Sequence, residues 1–370
     1  MSLERYAVDP NHGFLPGIPP LRELPAPFAP WEAIVPDMSA LIRSRRLRRA
    51  LERLPLLDAA ALQTAAERER GMLLLSHFVN GWVWGGAEPH LRIPAAVAVP
   101  LCALAETLGR PPIAHYASMT LNNWQLLDPS APLSIDNART QVNFLGGVDE
   151  DWFFIASMGV ELAGAPLLPI VAAADRSSRD ASDGELAREL EAYANGMDAV
   201  LQALHRIREW CNPATYYLRV RPYVTGWPAP GAVYEGVSEE PKKYLGGSAA
   251  QSSLLQVFDA LLGLAHPDVP AGKYLRAVRD YMPPLHRAFV EDIERSSRVR
   301  DRAIAGAAPL RDAYNASLAQ MERFRDAHMQ LAHDFIIRPS GENSAHEGTG
   351  GTALNTFLRG AQGTTTAAKL

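Results

Sequence analysis

Beyond residue 37, apolar residues recur along most of the chain at three- and four-residue steps, the period of a helix buried on one side. The clearest run is ELARELEAYANGMDAVLQALHRIREW, 185–210. There Leu186, Leu190, Tyr193, Met197, Val200, Leu204 and Ile207 line one face, and Asn212-Pro213 predicts the stop. The polar stretch ADRSSRDASDGE, 174–185, reads as the loop before it. A second run extends from Tyr314 to Phe335 through Leu318, Met321, Phe324 and Leu331. No series of alternating strand-like runs appears, apart from a short ambiguous stretch around Tyr216–Val224. Residues 1–36 hold eight prolines and predict an extended segment draped over the surface or over a neighbouring domain. No repeat of solenoid period is present. The pattern predicts a mainly α protein.

At 370 residues the chain is long for a single core, so two packed domains are expected. The Pro-rich 94–112 region suggests a division into a small N-terminal domain, 1–105, and a large helical one, 106–370. Apolar residues make up 47% and charged residues 21%, ordinary values for a globular protein. A net charge of −5 offers no global attraction for nucleic acid or an anionic membrane. Two cysteines, Cys102 and Cys211, are too few for a disulfide framework. The start MSLERYAVDPNHGFLPG lacks the pattern of a signal peptide, and the longest apolar run, IPAAVAVPLCALA, is too short to span a bilayer. These features predict a cytoplasmic protein without a membrane or nucleic-acid partner.

Four stretches carry candidate chemistry. RSRRLRR, 43–49, packs five arginines but has no accompanying aromatic platform, so a solvated helix face is expected. GGSAA, 246–250, falls short of a nucleophile elbow because charged, proline-broken residues precede it. EGTGGT, 347–352, has no lysine and follows a helix, unlike a phosphate loop. Its small residues allow close approach to a ligand, and the segment 340–352 is long enough to act as a lid. The fourth is FRDAHMQLAHDF, 324–335. His328 lies seven residues from both Met321 and Phe335 and shares their apolar face. His333, about 140° further round, does not. A lone histidine on an apolar face can be a core residue bonded to a carbonyl. With Arg325 one turn away, it also suits haem, which needs an axial nitrogen and a cation for its propionates.

With these residues in view, the chain resembles the indoleamine 2,3-dioxygenases, nearly end to end. RDAHMQ, EGTGGTALNTFLRGAQGTT, WVWGGAEPHLRIPAAVAVPLC, PPIAHYASMTLNNW, YYLRVRPYVTGW, VYEGVSEEPKKYLGGSAAQSSLLQVFD and RDYMPPLHRAFV carry the likeness in shared order and spacing. The resemblance implies a two-domain all-helical fold with haem b between the domains, ferrous when active. It implies insertion of O2 across the indole C2–C3 bond of L-tryptophan or a related indoleamine, with a reductant as a further partner and N-formyl-kynurenine as product. His328 then matches the proximal iron ligand and Arg325 a propionate partner. Ser248 and Ala249, with Gly247, match the segment lining haem and substrate. Arg221 matches the substrate-carboxylate arginine and Thr349 the loop threonine that meets the ammonium group. Tyr116, Met119, Phe153, Phe154, Ser157, Tyr216 and Val224 match pocket positions. Tyr216, Met119 and Val224 depart from the phenylalanine, cysteine and leucine of the mammalian enzymes. Two other readings of the same haem site are monooxygenase or peroxidase-like oxidation of another indole, and a haem-based sensor. A sensor would have no use for an amino-acid clamp.

Overall fold

Two reciprocal capping boxes start two of the long helices. Thr64 accepts from the Glu67 amide while the Glu67 carboxylate takes the Thr64 and Gln63 amides, opening the helix Ala65–Trp84. Ser182 and Glu185 do the same for Asp183–His205. The computed structural model describes residues 2–264, 270–341 and 354–370, and it is mostly helical. Ala308–Ala332 packs along Asp183–His205, which in turn packs against Val148–Gly164 and Leu167–Asp180. The apolar stripe at 185–210 is buried from Leu186 to Ile207 as its period predicts, with a break at Arg206 before the short helix Ile207–Trp210. One buried apolar cluster runs from Tyr6 to Ala368. No single helix among the described residues is long and apolar enough to cross a membrane.

Three local expectations give way. The loop expected at 174–185 is mostly helix, because Leu167–Asp180 continues to its own polar end. Three of its polar residues, Asp175, Ser177 and Ser178, are buried and paired, while Arg176, Arg179 and Asp180 stay exposed. Asp175, fully buried, accepts from Arg179 at 2.8 Å and from the Ser296 hydroxyl at 2.7 Å, and the Ser178 hydroxyl takes the Arg298 amide. Nor is Tyr216–Val224 a strand. The Asn212 side chain caps a helical turn at Pro213, and the chain continues as a π-turn, Tyr216–Val220, then a 3-10 turn, Arg221–Val224. Pro222 brings no N–H to that segment, which removes one α-helical bond there. Arg219 and Arg221 therefore do not share a side by strand alternation. In the arginine-rich 43–49, Arg48 leaves the solvated face and donates to the carbonyls of Trp82 and Val83, closing the end of the 65–84 helix.

The proline-rich start is draped as expected, apart from brief helical turns such as Ala29–Glu32. Phe14 packs on His286 and Phe289, and Tyr6 also packs on Phe289, so the segment lies against the helix Pro284–Ser296. Small sheets complete the fold. Arg92–Ile93 runs parallel to Ala232–Tyr234, which pairs antiparallel with Ser238–Lys242, and Gln125–Leu126 pairs antiparallel with Ala138–Arg139. Strands of two to five residues leave no legible alternation.

Asn80, fully buried on the 65–84 helix, ties the N-terminal part to the rest. Its amide donates to the Tyr223 carbonyl at 2.7 Å, and its oxygen accepts from the Ala114 amide at 3.0 Å. Asn80→Ala would strip a partner from two buried backbone groups, each costing about 1–3 kcal/mol. A loss of about 2–5 kcal/mol in urea-unfolding stability is expected, and a shift below about 0.5 kcal/mol would show that the tie is dispensable.

Candidate active site

Three π-turns stand among the described residues: Ala117–Leu121, Tyr216–Val220 and His333–Ile337. Each contributes to the wall of the same cavity, through Met119 and Thr120, Tyr216, and Phe335 and Ile336 respectively. A π-turn spends one extra residue on a helical circuit and is found preferentially at functional sites. The 148–164 and 308–332 helices and the segment 247–252 supply much of the rest of the wall. Every lining residue lies at or beyond Tyr116.

The histidine singled out from the sequence opens on this cavity. His328 is half-buried among Met321, Phe324, Leu331 and Phe335, the face its spacing assigned to it. Among the described residues no carbonyl or other hydrogen-bond partner engages its ring, and Phe324 is its neighbour at 6.4 Å between centroids. Burial, aided by the charge of Arg325, lowers its pKa to about 4, so the imidazole is neutral with a lone pair to offer. His333 is exposed and faces Asp334. Arg325 also lines the cavity, and its guanidinium is held rather than loose. One Nη donates to Asp259 at 2.5 Å and the other to the Ala361 carbonyl at 3.0 Å.

Aromatic rings form much of the wall. Phe153 lies 4.4 Å from Tyr216 between centroids and 5.5 Å from Phe154, and Tyr216 meets the edge of Phe335 at 5.8 Å. Gly247, Ser248 and Ala249 line the cavity where the sequence expected them. A Cβ on Gly247 would overlap Cε of Met119, so any larger residue there would displace the Met119 side chain from its place in the wall. Tyr116, Ser157 and Val224 also face the cavity. Arg221 is not among its lining residues. It sits half-buried at the end of the second π-turn, its guanidinium 5.3 Å from the Tyr217 ring. Thr349 and all of the expected lid beyond Gly341 lie outside the described residues.

The sequence reading missed one group, Glu161. This carboxyl is 1% exposed and accepts on a single oxygen from the Tyr116 hydroxyl at 2.9 Å and the Ser252 hydroxyl at 2.6 Å, both on lining residues. Its other oxygen has no partner among the described residues. Glu161 follows Phe153 and Ser157 at steps of eight and four on the 148–164 helix. A carboxylate on that apolar stripe was the available signal. Desolvation raises its pKa to about 7, partly opposed by the two hydroxyl bonds. Between the ordinary value of 4.5 and about 7, the folded protein holds a proton that the unfolded chain releases, so stability falls as pH rises through this window. Glu161→Gln removes that titration. Wild type should lose on the order of 3 kcal/mol relative to the variant between pH 4.5 and 7.5, measured by urea unfolding at each pH. Parallel curves would show that Glu161 ionises normally.

A lone imidazole supplies one metal ligand, and among the described residues no three His, Cys, Asp or Glu side chains converge to hold a bare ion. The donor set suits a metal that brings its remaining ligands in a macrocycle, and an apolar wall with a cation at its edge suits haem. Comparison with known proteins agrees. The family model described as indoleamine 2,3-dioxygenase matches residues 2–368. Indoleamine 2,3-dioxygenase 1 of Rattus norvegicus is 33% identical over 391 aligned positions, covering 100% of this chain and 96% of the rat protein. Indoleamine 2,3-dioxygenase 2 of Mus musculus is 34% identical, covering 97% and 93%. The indoleamine 2,3-dioxygenase of Saccharomyces cerevisiae is 30% identical, covering 94% and 82%. The chain belongs to the indoleamine 2,3-dioxygenase family of haem-dependent oxidoreductases.

Proposed function

We propose that this dioxygenase takes L-tryptophan as substrate and yields N-formyl-kynurenine. The observation that carries the reading is the neutral, unpartnered imidazole of His328 in the wall of an aromatic cavity. Haem b held there in the ferrous state supplies the activation of O2, both of whose atoms enter the product across the indole C2–C3 bond. His328 is the proximal ligand in this reading. Arg325, steadied by Asp259 and the Ala361 carbonyl, uses its remaining N–H groups toward a propionate. Phe153, Phe154 and Tyr216 hold the indole by ring contact and keep water out, while Tyr116, Met119 and Val224 shape the space around it. The Ser157 hydroxyl donates to the Phe153 carbonyl at 2.8 Å, so toward the cavity it offers lone pairs, an acceptor suited to the indole N–H. Gly247, Ser248 and Ala249 let substrate and macrocycle approach the backbone closely. Arg221 takes the substrate carboxylate and Thr349 the ammonium group. Residues 1–105, none of which lines the cavity, act as a smaller supporting domain.

Two substitutions test this. His328→Ala should lose haem on gel filtration, or keep it only in a form displaced by added imidazole, while His333→Ala retains a normal Soret band. Retention in the first and loss in the second would overturn the ligand assignment. Arg221→Ala removes one member of a desolvated charge pair, worth ~2–5 kcal/mol. It should lower kcat/KM for tryptophan by roughly thirty- to several-thousand-fold with an unchanged haem spectrum. Tryptamine, which lacks the carboxylate, should lose far less. An equal loss on both substrates would assign Arg221 to the fold.

A further inference from the structure

Tyr216 is 5% exposed, and its ring is wedged between Phe153 and Phe335 in the cavity wall. Its hydroxyl forms no hydrogen bond with any described residue; the Tyr193 hydroxyl also has none but is sealed in the core, whereas Tyr216 lines the cavity. A hydroxyl without a protein partner at a cavity wall is open to a hydrogen bond with whatever enters the site. The local backbone says what that is. The Arg221 amide donates to the Tyr216 carbonyl, the i→i+5 bond of a π-turn. In an α-helix, side chains five apart diverge by about 140°. The wider π-turn narrows that divergence, and Arg221 comes near enough for its charge to act on the Tyr216 phenol, while its guanidinium lies over the Tyr217 ring beside the cavity wall. Arg221's charge accordingly opposes the upward push of burial on the Tyr216 phenol, which stays protonated and able to donate. A hydroxyl donor with a guanidinium close by favours an anion with two oxygens and disfavours an ammonium group.

We propose that the Tyr216 hydroxyl is a second donor to the substrate carboxylate, acting beside Arg221 and setting a preference for indole amino acids over the corresponding amines. This rests on the reading of Arg221 as the carboxylate arginine, and the test separates the two. Tyr216→Phe removes only the oxygen and keeps the ring contacts. In the haem-loaded enzyme, kcat/KM for L-tryptophan should fall about ten- to a hundredfold, the range for one hydrogen bond to a charged group, while tryptamine changes by less than about threefold. Equilibrium dialysis should show the same loss of affinity for indole-3-propionate, which carries the carboxylate and no ammonium. Near-equal effects on acid and amine, or none on either, overturn the proposal. If Tyr216→Phe lowers the acid-to-amine ratio and Arg221→Ala does not, the tyrosine role stands and the arginine reading falls. The reverse pattern keeps the arginine and sinks the tyrosine.

Discussion

Helices satisfy their own backbone hydrogen bonds, and this constraint governs the whole site. A cavity walled mostly by helices presents mainly side chains, so much of its chemistry has to come from the few polar groups that break an apolar surface. His328 is the clearest of these. Among the described residues its ring meets no acceptor and no acid, and burial, aided by the charge of Arg325, keeps it neutral. An imidazole tied to a carbonyl or a carboxylate through both nitrogens could not serve as an axial ligand. The apolar face of the 308–332 helix therefore does two things: it packs against the 183–205 helix, and it leaves one nitrogen uncommitted.

The same constraint explains the π-turns. Each relaxes the regular i→i−4 ladder at the cavity and re-aims side chains without orphaning the backbone. Tyr216 and Phe335 come from two of these turns and meet edge to face. Met119, from the third, fills the space that Gly247 leaves. Support comes from outside the wall. Asn80 fixes the segments before and after two of the turns, and Gln251 accepts from the Tyr116 amide while donating to the Gly246 carbonyl. Charge is placed sparingly. Arg325 is matched by Asp259, and Glu161 lies buried with a proton affinity raised by the loss of water.

Much was legible in the chain itself. Helical period placed His328 with Met321 and Phe335 and set His333 apart, because one turn of a helix is a local and nearly invariant length. The long stripe from Leu186 to Ile207 and the two capping boxes follow from the same local rules. Tertiary structure decided what depends on partners distant in sequence. Asp175 and Ser178 looked like loop residues until Ser296 and Arg298 supplied their bonds. Tyr216–Val224 looked ambiguous because its turn type depends on Asn212, Pro222 and its packing together. Glu161 became part of the site only when Tyr116 and Ser252, from two other segments, converged on one of its oxygens. Periodicity reports which face is buried. What that face touches, and which polar groups are left unpaired there, depends on long-range packing that no local pattern records.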